Sequence, residues 1–304
     1  MIRAPSTSRA TAPSEPCETA RPADVPELFD VHTHAWPPRL YDAIVRWFER
    51  HAWPIVEQLD GEAAAAHLAA QGVRRWVAMA YCHKPGMARP LNAFLGAYAR
   101  RHPEAVVLAA VHPFDPDARD ILCEAFDEHG LRGLKLHCHV MGLPPDEPAL
   151  APVLDFVAAR GLPVVIHAGR APELPGYPAG CGAVSGVARI ARMLERHPGL
   201  RCVVPHFAHD EHDALPALFE RHPLLMTDTA MVLAGHFDVA PPRELILRHA
   251  ARIMYGTDFP VLPYPYATEW QHIRALSLPP EVERQILFDN AARFFDGGAP
   301  RPGG

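Results

Sequence analysis

The sequence predicts an α/β fold in which eight parallel strands and their intervening helices close into a (β/α)8 barrel. Three observations predict it. From residue 27 onward, short apolar runs alternate with amphipathic stretches to the end of the chain, there are eight such runs, and the 304 residues suit a barrel that typically occupies about 250. No G-x-G-x-x-G follows any of the runs, which disfavours an open dinucleotide-binding sheet.

The eight strand candidates are ELFDVH (27–32), RRWVAMA (74–80), AVVLAAVH (105–112), GLKLH (133–137), LPVVIH (162–167), LRCVVPH (200–206), LLMTDT (224–229) and RIMYGTD (252–258). Most are continuously apolar, as expected for strands covered on both faces. Helical stretches lie between them over 61–72, 91–103, 118–130, 151–161, 187–199 and 215–223, several ending in Gly or Pro stop signals. A last helix over 279–295 begins after prolines and precedes a glycine-rich end. The domain is therefore expected to span 27–296. Residues 1–26, rich in Ala, Pro, Ser and Thr, read as a flexible tail, and so do residues 297–304.

Composition narrows the function. Apolar residues make up 49% and charged residues 21%, and the net charge of −6 comes without long single-sign runs, so neither nucleic acid nor an anionic membrane finds a basic footprint. No apolar run reaches the roughly 20 residues that span a bilayer. The first residues lack the apolar core of a secretory signal, although Arg3, Arg9 and Arg21 leave a transit peptide open. Six scattered cysteines form no C-x-x-C pair and suit a reducing cytoplasm. A small-molecule substrate is expected, and a homo-oligomer is compatible.

In such a barrel the active site is built at the C-terminal ends of the strands. This chain places its histidines there. The first strand leads into FDVHTH, with His32 and His34 one residue apart and on one face if the strand is regular; the fifth ends in His167, the sixth in His206 and the eighth in Asp258. Imidazole and carboxylate ligands suit zinc, with manganese or iron as alternatives, and leave room for a water. Asp30 shares parity with the two histidines and is expected behind them as an orienting carboxylate. Asp228, on the seventh strand, is read as structural or as a partner behind the ligands, and His209 and His212, in the loop after the sixth strand, as solvated.

The motifs DVHTH, GLKLH, VVIHAG, VVPH, GTDFP and ILFDNAARFF occur in one order between residues 27 and 296. Together they resemble the amidohydrolase superfamily, in particular its amidohydrolase-related branch of metal-dependent hydrolases. The resemblance implies that His32, His34, His167 and Asp258 bind a catalytic divalent metal, that His206 is a further ligand or hydrogen-bonds the substrate, and that Asp258 shuttles the proton.

The fourth strand leaves alternatives open, because Lys135, His137 and His139 share parity. In some amidohydrolases a lysine here is carboxylated and bridges two metals; the other reading is a plain ammonium paired with Asp30 or Asp258. Cys138 points the other way, as a packed thiol. The expected reaction is hydrolysis of an amide, lactone or related carbonyl by a metal-activated water, with Asp258 as base and Lys135, His137 or His206 steadying the oxyanion. The same branch includes decarboxylases of aromatic or dienoic acids, so a lyase is the alternative. A non-catalytic barrel ranks below both, since the ligand set is complete. Lys84, Arg170, Tyr177, Tyr264 and Tyr266, from loops after the strands, are the candidate substrate contacts, with Lys84 and Arg170 as a clamp for a carboxylate.

Overall fold

The computed structural model describes residues 25–297 apart from 168, 171 and 238. Most of the two predicted tails lies outside these residues, though Val25 already packs against the core. Eight strands follow the predicted order: β1 (Leu28–His34), β2 (Val73–Met79), β3 (Ala105–Val107, continuing as Ala109–Ala110), β4 (Leu134–His137), β5 (Pro163–His167), β6 (Arg201–Val204), β7 (Leu225–Asp228) and β8 (Ile253–Met254). Each pairs in parallel with the next. The ring closes where the chain after β8 runs beside β1: Val31 donates to the Tyr255 carbonyl (2.8 Å), Asp258 to His32 (2.8 Å) and His34 to Phe259 (2.7 Å).

The inner face is a ring of side chains drawn from successive strands. Phe29, Val31, Val77, Met79, Val106, Leu108, Val165, Val203, Met226 and Met254 form one cluster, stoppered by Ala291 and Phe295 of the last helix. A second, larger cluster packs the outer faces of the strands against the helices. Burial of both faces is what makes the strand sequences continuously apolar.

β1 departs from regular alternation in a way that builds the site. Asp30 pairs with Trp76 and Thr33 with Ala78, so three steps on β1 oppose two on β2. That extra residue is a bulge, which swings the following side chains to the other face. His32 and His34 thereby reach the inner rim. Asp30 stays with the outer packing, where it accepts from Thr257 Oγ1 (2.7 Å) and Tyr266 (3.1 Å). The expectation that Asp30 orients the histidine rings is therefore corrected: parity counted along the sequence fails across a bulge.

The predicted helices form with shifted ends, and five more appear among the described residues: Pro38–His51, Cys138–Met141, Cys181–Ser185, Arg243–Arg248 and Thr268–Ala275. The first begins at the second of the two prolines that follow β1. Pro38 occupies the opening turn, where its missing N–H costs nothing and its fixed φ suits a helix. No helix among the described residues is long and apolar enough to cross a membrane. The five described cysteines are unpaired.

Candidate metal centre

Three imidazoles on the rim are each anchored by one ring nitrogen. His34 Nδ1 lies 3.1 Å from the Met79 carbonyl and His206 Nδ1 2.9 Å from that of Ala230. A carbonyl only accepts, so both Nδ1 atoms carry the proton and both Nε2 atoms turn a lone pair toward the site. His32 Nδ1 is held the same way by Asp228 Oδ2 at 2.9 Å. This is how metal-binding histidines are oriented.

Two of these Nε2 atoms meet the carboxylate of Asp258. Its Oδ1 is 2.9 Å from His34 Nε2 and 3.2 Å from His32 Nε2. His32, His206 and Asp258 each offer a ligand atom, all within 4.8 Å of one another. His167 stands one step back, its Nδ1 3.1 Å from His206 Nε2. His137 pairs directly across the sheet with His167, which stacks the rings at 4.0 Å. The structure thus gathers His32, His34, His137, His167, His206 and Asp258 on one rim.

Lys135 is buried below, with Nζ 3.3 Å from His32 Nε2. Burial brings its ammonium down to about 8, against the pull of Asp258 and Asp228, which favour the charge. Asp30, one of its two suggested carboxylate partners, belongs to the other face. Burial would raise Asp258, but His32 and His34 outweigh it and hold this carboxyl well below the usual range. Burial likewise pushes His34 and His206 down to about 4, the neutral form that binds a metal. Nitrogen donors with fixed tautomers beside an ionised carboxylate fit zinc, manganese or iron(II).

The backbone is strained where it delivers these groups. Asp258 has φ +76°, and His206, Phe207, Ala208 and His209 form a left-handed run with φ between +50° and +57°. None is glycine, and Phe207 and Ala208, in the left-handed helical conformation, each cost about 1–2 kcal/mol. Such strain clusters at functional sites.

Several loop residues fall elsewhere than expected. His209 is buried, not solvated, and lines the cavity over the rim with His34, His206, Trp53, Tyr177 and Phe237. The sequence offered no sign of this, because a left-handed run of four non-glycine residues has no signature. His212 is only partly buried and bonds the His209 carbonyl. Of the expected substrate contacts, Tyr177 lines the cavity. Tyr266 is instead buried on Asp30, and Tyr264 donates to Glu269 (3.2 Å). Lys84 is exposed, and Arg170 pairs with Asp210 and Glu211 at the surface, so the described cavity lining contains no cationic clamp.

The sequence profile of the amidohydrolase family matches residues 29–297. The chain belongs to this family. Its barrel resembles an uncharacterised TIM-barrel protein from Bordetella bronchiseptica (21% identity, 88% of this chain and 99% of that one, TM-score 0.64). It also resembles a 5-carboxyvanillate decarboxylase from Novosphingobium aromaticivorans solved with manganese (17%, 91% and 98%, 0.66) and a 2,6-dihydroxybenzoate decarboxylase from Rhizobium (16%, 89% and 98%, 0.65). At these identities the likeness shows the fold alone. No curated protein matches the chain. Within the amidohydrolase barrel, the strand ends that the family profile spans are those that carry the histidines and Asp258.

Proposed function

We propose that this amidohydrolase is a metal-dependent hydrolase acting on an amide, lactone or related carbonyl bond of a small molecule. The observation that carries the reading is the convergence of Nε2 atoms, each from an imidazole anchored through Nδ1, on the ionised carboxylate of Asp258. His32, His34 and Asp258 would hold the ion, with His206 or His167 supplying a further nitrogen. A divalent metal bound there supplies Lewis acidity, lowering the pKa of water toward about 7 and polarising a carbonyl.

The chain's own groups do the rest. Asp258, kept ionised by His32 and His34, takes a proton from the attacking water and returns it to the leaving group. Lys135, buried behind the cavity lining beside His32, adds positive charge beneath the ligands, from where it favours negative charge developing in the site only at a distance. Phe48, Trp53, Tyr81, Tyr177 and Phe237 wall the cavity and exclude bulk water. That cavity is small, about 30 Å³, and shares Phe48, Tyr81 and Tyr177 with an outer groove of about 530 Å³. The reacting end of a substrate would enter the first while an apolar remainder lies in the second. Free thiols favour a reducing cytoplasm.

A second reading is non-oxidative decarboxylation of an aromatic acid, favoured by the aromatic walls and by the named activities of two structural relatives. The two separate cleanly. Metal-loaded protein is screened against lactones, amides and aromatic carboxylates in water enriched in oxygen-18. Label in the organic product supports hydrolysis, whereas carbon dioxide released with no label in the organic product overturns it in favour of the lyase.

A further inference from the structure

His209 is 6% exposed, and neither ring nitrogen has a hydrogen-bond partner among the described residues. Buried polar side chains are rarely left so, and the exceptions ask for a ligand or a water. The imidazole lines the cavity above the rim, 4.8 Å from the Phe237 ring, at the end of the left-handed run that begins with His206. One strained segment therefore delivers two imidazoles to one cavity. His206 is anchored through Ala230; His209 is held by packing and by its backbone carbonyl, which accepts from His212 (3.1 Å).

We propose that His209 recognises the substrate, receiving an uncharged alcoholic or phenolic hydroxyl. The inference rests on this cavity being the active site. Burial keeps the imidazole neutral, with Asp210 only partly opposing, so it presents one donor and one acceptor. A hydroxyl also donates and accepts, and it can satisfy either nitrogen whichever tautomer is present. A carboxylate would find only half the ring suitable, as would an ammonium. The absence of Lys and Arg from the described lining points the same way, to an uncharged polar group on an apolar body.

Phenol and benzene serve as probes, with the ring in the adjoining groove and only the phenol hydroxyl reaching the small cavity, and are titrated by NMR into metal-loaded full-length protein. Phenol is expected to bind about tenfold tighter than benzene to the wild type. The difference disappears in His209→Leu through loss of phenol affinity alone, and His209→Gln, which keeps a donor and an acceptor, retains part of it. Equal affinities in the wild type, or a phenol preference that survives His209→Leu, would overturn the proposal. Should His209→Leu fail to fold, the ¹⁵N shifts of the His209 ring in wild-type protein decide: movement with phenol and not benzene supports the proposal, and none overturns it. Metal content measured on the same samples separates the two levels. Loaded protein without discrimination contradicts the role of His209 alone, whereas a wild type that takes up no metal contradicts the active-site reading and this inference with it.

Discussion

Asp228 Oδ2 lies 2.9 Å from His32 Nδ1, and its other oxygen accepts the backbone N–H groups of His206 (2.8 Å) and Ala230 (3.2 Å). One buried carboxylate thus fixes a ring from β1 and the turn that carries His206. An amide cannot replace it, because its NH2 would face a donor whichever way it turned. Asp228→Asn is expected to weaken metal affinity about 10- to 100-fold, the usual effect of losing an orienting partner. Competition with a fluorescent chelator measures it, and unchanged affinity would show the contact to be incidental.

Asp258 is assigned both a ligand and a proton-transfer role. Asp258→Asn keeps an oxygen but loses the base, so metal content should fall modestly while turnover drops about 10²-fold or more. Excess metal should not restore it. His167→Ala, by contrast, removes a neutral ring, and added metal should recover part of its loss. Near-normal turnover by Asp258→Asn would move the base role to His206 or His137.

Gly256 permits the close approach of the last strand to the site. A Cβ there would sit 2.9 Å from His32 Cβ and 3.2 Å from Asp228 Cβ. Gly256→Ala should therefore destabilise by about 1–3 kcal/mol and loosen the metal site together. Thermal unfolding and metal titration on one sample test the coupling; a stable variant with intact affinity would mean the neighbours yield.

Asp146 ties the loop after β4 to the helix Val187–Arg196. Burial would raise its pKa, but Arg192 (2.7 Å) and Arg189 (3.2 Å) outweigh this and hold it below the ordinary value. A carboxyl depressed on folding contributes stability above its unfolded pKa of about 3.9 and loses it as the pH falls through the folded value. Asp146→Asn should cost about 1–2 kcal/mol near neutrality, with a gap to the wild type that narrows in acid. Denaturant melts across that range measure it, and a gap constant with pH would contradict the assignment.

The strand order and the polar strand ends were legible because both follow from burial: runs covered on two faces must be apolar, so the histidines that end them stand out. Counting parity placed Lys135 and His137 on the inner face of β4, where regular pairing carries them. It misplaced Asp30, since a bulge leaves no mark in a run where every residue is buried. That Asp228 stands behind the ligands was among the readings the sequence allowed, but its pairing with His32 was hidden for another reason. Asp228 lies 196 residues away in sequence, and only ring closure brings the two together. The helix Pro38–His51 was obscured because the prolines that follow β1, which end the strand, also start a helix.

The central claim is a metal held by anchored imidazoles and Asp258, and its most direct test is the metal content of purified protein after loading with zinc or manganese and desalting. Elemental analysis should give about one equivalent in the wild type, as for a mononuclear catalytic site, and far less in His32→Ala. A wild type that stays metal-free, or a His32→Ala variant that retains the full equivalent, would contradict the account.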